Sequence, residues 1–250
     1  MTLAQTESAE KKKSPNQKKP REDLGPLGNA VSDRVTDLMS GYIADNSEDV
    51  ATLAQLRSGA GHTFGSCPRL WGMSVDPAQY ERLWERPRAE ERTEKTEQAA
   101  EEAVHAALTL FALHQQSLKT ADQGMHIPSR FGRGIRRAEH NVGWAVRGAM
   151  PVGEIEASLH NRLRRAAEAS SHTKRVSELR QIVQRLRGAR QPLDYGLLAE
   201  HLYRAQRPRG AETVKDAWGH GFASFHQKKE TSAEKTDAES AEGEATAEEL

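Results

Sequence analysis

The segment from Ser170 to Phe225 leaves the chain little choice of architecture. Its apolar residues recur at spacings of three and four, and helix punctuation bounds each recurrence. Ser170 or Ser171 caps a first helix on which Val176, Leu179, Ile182, Val183 and Leu186 form one apolar stripe. Gly188 stops it, and Pro192 opens the next turn. Asp194 caps a second helix with Leu197, Leu198, His201, Leu202 and Ala205 on its apolar side, and Arg207-Pro208-Arg209-Gly210 ends it. A third helix carries Val214, Ala217, Trp218, Gly221, Phe222 and Phe225. Helices this short are not stable singly in water, so the three must cover one another's apolar faces. The expected fold class is all-α.

The same periodicity continues towards the N-terminus. Behind the cap Ser32 come Val31, Val35, Leu38, Met39, Tyr42 and Ile43. Behind the acid-rich turn Ser47-Glu48-Asp49 come Val50, Leu53, Ala54 and Leu56, and this helix ends at Arg57-Ser58-Gly59-Ala60-Gly61. The run from Ala103 to Leu113 is apolar around most of its circumference and reads as a central helix, with His105 and His114 as core residues. A further helix spans Ile155 to Ala169, with Ile155, Leu159, Leu163, Ala166 and Ala167 facing inward. Between these elements, Pro68, Leu70, Trp71 and Met73 form a buried turn. Residues 87–102 begin as a charged, solvated linker, residues 119–126 form a loop, and Asn141 to Pro151 reads as another linker. The expectation is two small bundles, 29–128 and 129–227. A disordered basic tail over 1–28 and a disordered acidic tail over 228–250 flank them.

Charge separates the two bundles. The chain holds 36 Lys and Arg against 36 Asp and Glu, so it is formally neutral. Residues 130–227, however, carry 18 basic against 9 acidic residues, and residues 22–129 carry 9 against 17. A basic half on a helical scaffold is the footprint of a partner with a phosphate backbone. A cationic surface that serves solubility alone would give the same counts. Lys174, Arg175, Arg180, Arg185, Arg187 and Arg190 fall on or just after one helix, with Glu178 as the acid among them. Arg130, Arg133, Arg136 and Arg137 alternate with glycine and Phe131, a pattern that lets a backbone approach phosphate closely while guanidinium forks bind its oxygens. Arg57 sits at a glycine-rich tip, which suits phosphate contact or simple compensation of the helix dipole.

Other chemistry finds little footing. Cys67 is the one cysteine, so intrachain disulfides and cysteine metal clusters are excluded, and no base is fixed beside it. The ten histidines form no zinc-protease or finger spacing. No P-loop, nucleophile elbow or dinucleotide fingerprint occurs. No catalytic residue, metal or cofactor is therefore expected. With no membrane-length apolar run and no secretory hydrophobic region, the expected location is the cytoplasm, with no membrane partner.

Several blocks, in order, carry a resemblance. They are AQLRSGAG through CPRLWGM (54–73), LFALHQQ (110–116), FGRGIRR (131–137), NRLRRAAEASS (161–171), LRQIVQRLRGARQPLDYGLLAEHL (179–202) and the later Ala217-Trp218. The chain resembles the CasB family, the small subunit of the type I-E CRISPR surveillance complex Cascade. That resemblance implies an all-helical, non-catalytic subunit of two small bundles, present in two copies beside other Cascade subunits and the crRNA. It also implies a basic track that holds the displaced single-stranded DNA and so stabilises the R-loop. On the family's pattern Arg57, Arg133, Arg162 and Arg180 fall on basic positions, and Arg136, Arg137, Arg165 and Lys174 are further candidates for the track. The chain departs from the family's compact pattern in its tails, at residues 86–102 and at residues 126–154. The alternative is a structural adaptor whose basic face meets neighbouring protein subunits.

Overall fold

In the computed structural model the described residues are 24–85, 91–128, 140–151 and 153–225. Among them the architecture is helical: α1 (Pro26–Ile43), α2 (Ser47–Arg57), α3 (Pro77–Glu81), α4 (Glu94–Gln115), α5 (Val142–Gly148), α6 (Ala157–Glu168), α7 (His172–Gly188), α8 (Tyr195–Ala205) and α9 over 210–225. Short 3₁₀ turns occupy Phe64–Ser66, Pro68–Leu70 and Ala121–Gln123. An isolated bridge between His126 and Leu193 is the one β-type pairing among the described residues.

α4 is the axis of the molecule, as its continuous apolar run demands. It is buried from Ala99 to Gln115 with few breaks, and α1, α2, α7 and α8 pack around it. Thr93 and Thr96 close a reciprocal capping box at its start. α1 lies along α8 and α6 along α7, so helices from both sides of residue 128 share one buried core running from Leu27 to Trp218. Trp218, Tyr195 and Phe111 are its largest fully buried side chains. The punctuation read from 170–225 is realised in place. Ser171 Oγ accepts from Lys174 N–H, Asp194 Oδ1 accepts from Leu197 N–H, and Val176, Leu179, Ile182, Val183 and Leu186 are all buried.

Several polar groups in this core are matched in pairs. The Trp218 indole N–H donates to His201 Nδ1 (3.0 Å), and Tyr195 N–H donates to His126 Nδ1 (3.2 Å). Both donors have no alternative role, so both ring nitrogens must be unprotonated and both imidazoles neutral. His114 Nδ1 lies 2.8 Å from Tyr195 Oη in a fully buried setting, and burial pushes this histidine down to about 3.

The structure corrects the sequence reading at several points. α1 begins at Pro26 rather than at Ser32, because proline suits the first helical turn and Leu24 and Leu27 are already buried there. Ser32 is instead a buried mid-helix residue, its Oγ 3.3 Å from His126 Nε2. Ala54 faces out from α2. Asn141 to Pro151 is no linker: Asn141 caps α5, and the helix is buried at Val142, Gly143, Ala145 and Val146. A β-carbon at Gly143 would lie 1.8 Å from the Trp218 carbonyl, so α5 exists through its contact with α9 rather than through its own periodicity. Ile155 is 60% exposed, since α6 starts only at Ala157 and Ile155 never joins the buried stripe of Leu159, Leu163 and Ala166. Trp71 is 55% exposed, although its neighbour Leu70 is buried.

Candidate nucleic-acid interface

The expected basic positions divide into two groups on opposite flanks of α7. Residues two apart on a helix point about 200° apart. Glu178 and Arg180 therefore face opposite ways, and each collects different partners.

On one flank, Arg180 meets the end of α2. Its Cδ lies 3.1 Å from the point where a β-carbon on Gly61 would stand. Gly61 has φ +91°, a conformation that other residues adopt only with strain, so glycine here gives both the turn and the room for the arginine stem. Arg57 closes α2 just before this turn. Arg57 is half-buried and Arg180 exposed, and neither has an ion-pair partner among the described residues. One glycine turn thus seats Arg180, and that turn begins directly after Arg57, more than a hundred residues away in sequence. Farther along the same flank, Arg187 donates to Gln116 Oε1 (3.3 Å).

On the other flank, α6 and α7 share a carboxylate. Arg162 Nη1 lies 3.3 Å from Glu178 Oε2, and Arg165 Nε lies 3.0 Å from Glu178 Oε1. Two cations hold one anion, so the cluster keeps a surplus positive charge while fixing α6 against α7. Arg162 is half-buried and Arg165 exposed. Arg164 is occupied within its own helix by Glu168 (2.9 Å), and Arg185 pairs with Glu156. Lys174 is exposed in the first turn of α7, where a positive charge opposes the helix dipole; its charge is therefore not there to stabilise the helix.

Arg175 does not belong to the cationic surface. It is 2% exposed, and its Nε and Nη2 donate to the carbonyls of Ala166 (3.2 Å) and Ala169 (2.8 Å), which closes the C-terminus of α6. The side chain next to Lys174 in sequence is thus a structural bolt. Arg133, Arg136 and Arg137, with the rest of 129–139, lie outside the described residues.

A cavity of about 310 Å³ opens between α4 and the start of α7, lined by Lys95, Glu102, His172 and Gln206 among others. None of the expected arginines lines it. Glu102 Oε2 accepts from Phe64 N–H (3.0 Å), and burial together with Arg175 pushes His172 down to about 4, so this imidazole is uncharged at neutral pH. Cys67 is buried with Ser66 Oγ 3.8 Å from its sulfur. Among the described residues no group of three or more histidine, cysteine or acidic side chains is placed to hold a metal ion, and no helix is long and apolar enough to cross a membrane.

Sequence reasoning missed the role of Gly61 as the seat of Arg180. The signal was present in Arg57-Ser58-Gly59-Ala60-Gly61, but the partner lies more than a hundred residues away and only packing reveals it.

Comparison with known proteins gives a family and a fold. The family model described as CRISPR-associated protein Cse2 matches residues 52–222. Among solved structures the chain is similar to CasB from Thermobifida fusca, with 40% sequence identity and a TM-score of 0.65, over 81% of this chain and 99% of that one. No curated protein matches the chain.

Proposed function

The chain belongs to the CRISPR-associated Cse2 family, and from that premise we propose that it is the small subunit of Cascade and holds the displaced DNA strand of the R-loop without catalysing a reaction. The observation that carries this reading is Arg180 of α7 lying across Gly61, in the turn that follows Arg57 at the end of α2. Arg57 and Arg180 have no carboxylate partner among the described residues and are available to phosphates. The surplus charge around Glu178 and the exposed Lys174 extend the positive surface to the opposite flank of α7. A strand holder needs no base-reading contacts, because guide pairing supplies sequence and the complex supplies position. Its partners on this reading are the other Cascade subunits, the crRNA-bearing complex, the displaced single strand and a second copy of the chain, in the cytoplasm.

The test is an Arg57→Ala, Arg180→Ala double variant in reconstituted complex, with R-loop dissociation measured across salt concentrations. The expected result is a faster dissociation and a salt slope lowered by about two units, one per lost phosphate contact. An unchanged slope with the subunit still bound would overturn the reading. Loss of the subunit on size exclusion would make the arginines contacts to neighbouring protein, as an adaptor requires.

A further inference from the structure

Trp71 is a large apolar side chain that the fold holds still without covering. It is 55% exposed, whereas the other tryptophans sit in or against the core: Trp218 is buried, and the Trp144 and Trp84 rings pack edge-on against Phe225 and Tyr80. Its indole N–H donates to Phe64 O (3.2 Å), and its ring lies 6.1 Å from the Phe64 ring at 34°. Phe64 is anchored in turn: its ring meets His105 of α4 at 5.9 Å, and its N–H is taken by Glu102. An exposed indole fixed in this way has already lost its rotamer freedom, so a ligand that stacks on it has less ordering cost to meet.

The surroundings say which ligand. Leu70, one residue before Trp71, packs on Gly59, its Cδ1 2.4 Å from where a β-carbon there would stand. Gly59 and Gly61 belong to the same turn, and Gly61 seats Arg180. The indole is therefore linked through Leu70 and the Gly59–Gly61 turn to the seat of Arg180, directly after Arg57 in the chain. Residues 57–75 contain no aspartate or glutamate, and Arg69 is exposed among them. A flat aromatic face on a segment that carries cations and no acidic residue of its own is complementary to a single nucleic-acid strand, with bases for the ring and phosphates for the guanidinium groups.

We propose that the Trp71 indole is a stacking platform for an unpaired base of the strand whose phosphates Arg57 and Arg180 hold. This rests on the strand-holding reading above and adds the group that takes a base. Stacking is blind to sequence, since every base has a π-face, so the platform grips the strand without reading it.

The experiment uses reconstituted complex carrying Trp71→Ala or Trp71→Phe, on targets whose displaced strand bears 5-iodouracil at successive positions. Crosslinking to residue 71 and dissociation of the displaced strand across salt concentrations are both measured. The native complex should crosslink at Trp71 over a narrow window of positions. Trp71→Ala should shorten the lifetime about tenfold with the salt slope unchanged, and Trp71→Phe should keep most of it. A native lifetime for Trp71→Ala and no crosslink at residue 71, with the Arg57→Ala, Arg180→Ala variant still lowering the slope, would overturn the platform alone. A slope unchanged in the arginine variant would remove the strand-holding reading as well. Release of the Trp71→Ala subunit from the complex would make Trp71 a protein contact and overturn the platform.

Discussion

Replacing Arg175 by alanine should destabilise the protein by about 3 kcal/mol while leaving nucleic-acid binding alone. The guanidinium makes two charged hydrogen bonds to the carbonyls of Ala166 and Ala169, each worth about 1.5 kcal/mol. Its stem adds about three buried methylenes at ~0.8 kcal/mol each. Against this, burial disfavours the charged form and lowers the pKa of Arg175, so removing the charge returns part of the gain. A net loss of about 3 kcal/mol remains, which lowers the melting temperature of a chain this size by about 6 °C. The assay is thermal and urea unfolding followed by circular dichroism, run beside Lys174→Ala. The lysine lies in solvent one residue earlier, and its loss should move stability by no more than about 0.5 kcal/mol. Strand binding should show the reverse split: Lys174→Ala lowers the salt slope by about one unit and Arg175→Ala leaves it unchanged. Equal stability for the two variants, or a lowered slope in Arg175→Ala, would refute the assignment of Arg175 to the helix terminus.

Two further outcomes follow from the same geometry. Glu178→Gln removes the anion shared by Arg162 and Arg165, so displaced-strand binding should tighten at low salt and its salt slope should steepen, with stability changing by about 1 kcal/mol or less; unchanged binding would place these arginines off the strand's path. Acid should destabilise the protein through its buried histidines. His114 is pushed by burial to about 3, and His172 and His201 to about 4, below their ordinary value near 6.5. Below that ordinary value the unfolded chain takes up more protons than the folded one, so stability is full above about pH 6.5 and falls as pH drops towards 4. His201→Gln, whose amide oxygen still accepts from Trp218, should flatten part of this fall in urea midpoints; a native midpoint that does not vary between about pH 7 and about pH 5 would contradict it.

The fold was legible where periodicity, caps and turn residues agreed. Ser171, Asp194 and the stripe from Val176 to Leu186 place α7 and α8 from sequence because each signal is local, and the continuous apolar run of α4 marks the axis. The same local signals misled where tertiary contact decided the outcome. α5 has little periodicity of its own and exists because Gly143 admits the backbone of α9. Ile155 has the right spacing but precedes the first turn of α6.

The candidate site follows the same division. Composition alone located the positive charge in the second half of the chain, and the order of the blocks placed the chain beside a family. Which guanidinium groups are free was not encoded locally. Lys174 and Arg175 are neighbours in sequence, yet a helical turn sends one into solvent and the other into the carbonyls of α6. Arg162 and Arg165 look like bare cations until α7 brings Glu178 between them, and Arg180 reaches the turn after α2 only because Gly61 leaves room. Sequence determines how many charges a chain carries and which helices bear them; their partners are set by packing between residues distant in the chain, and that is decided only in three dimensions.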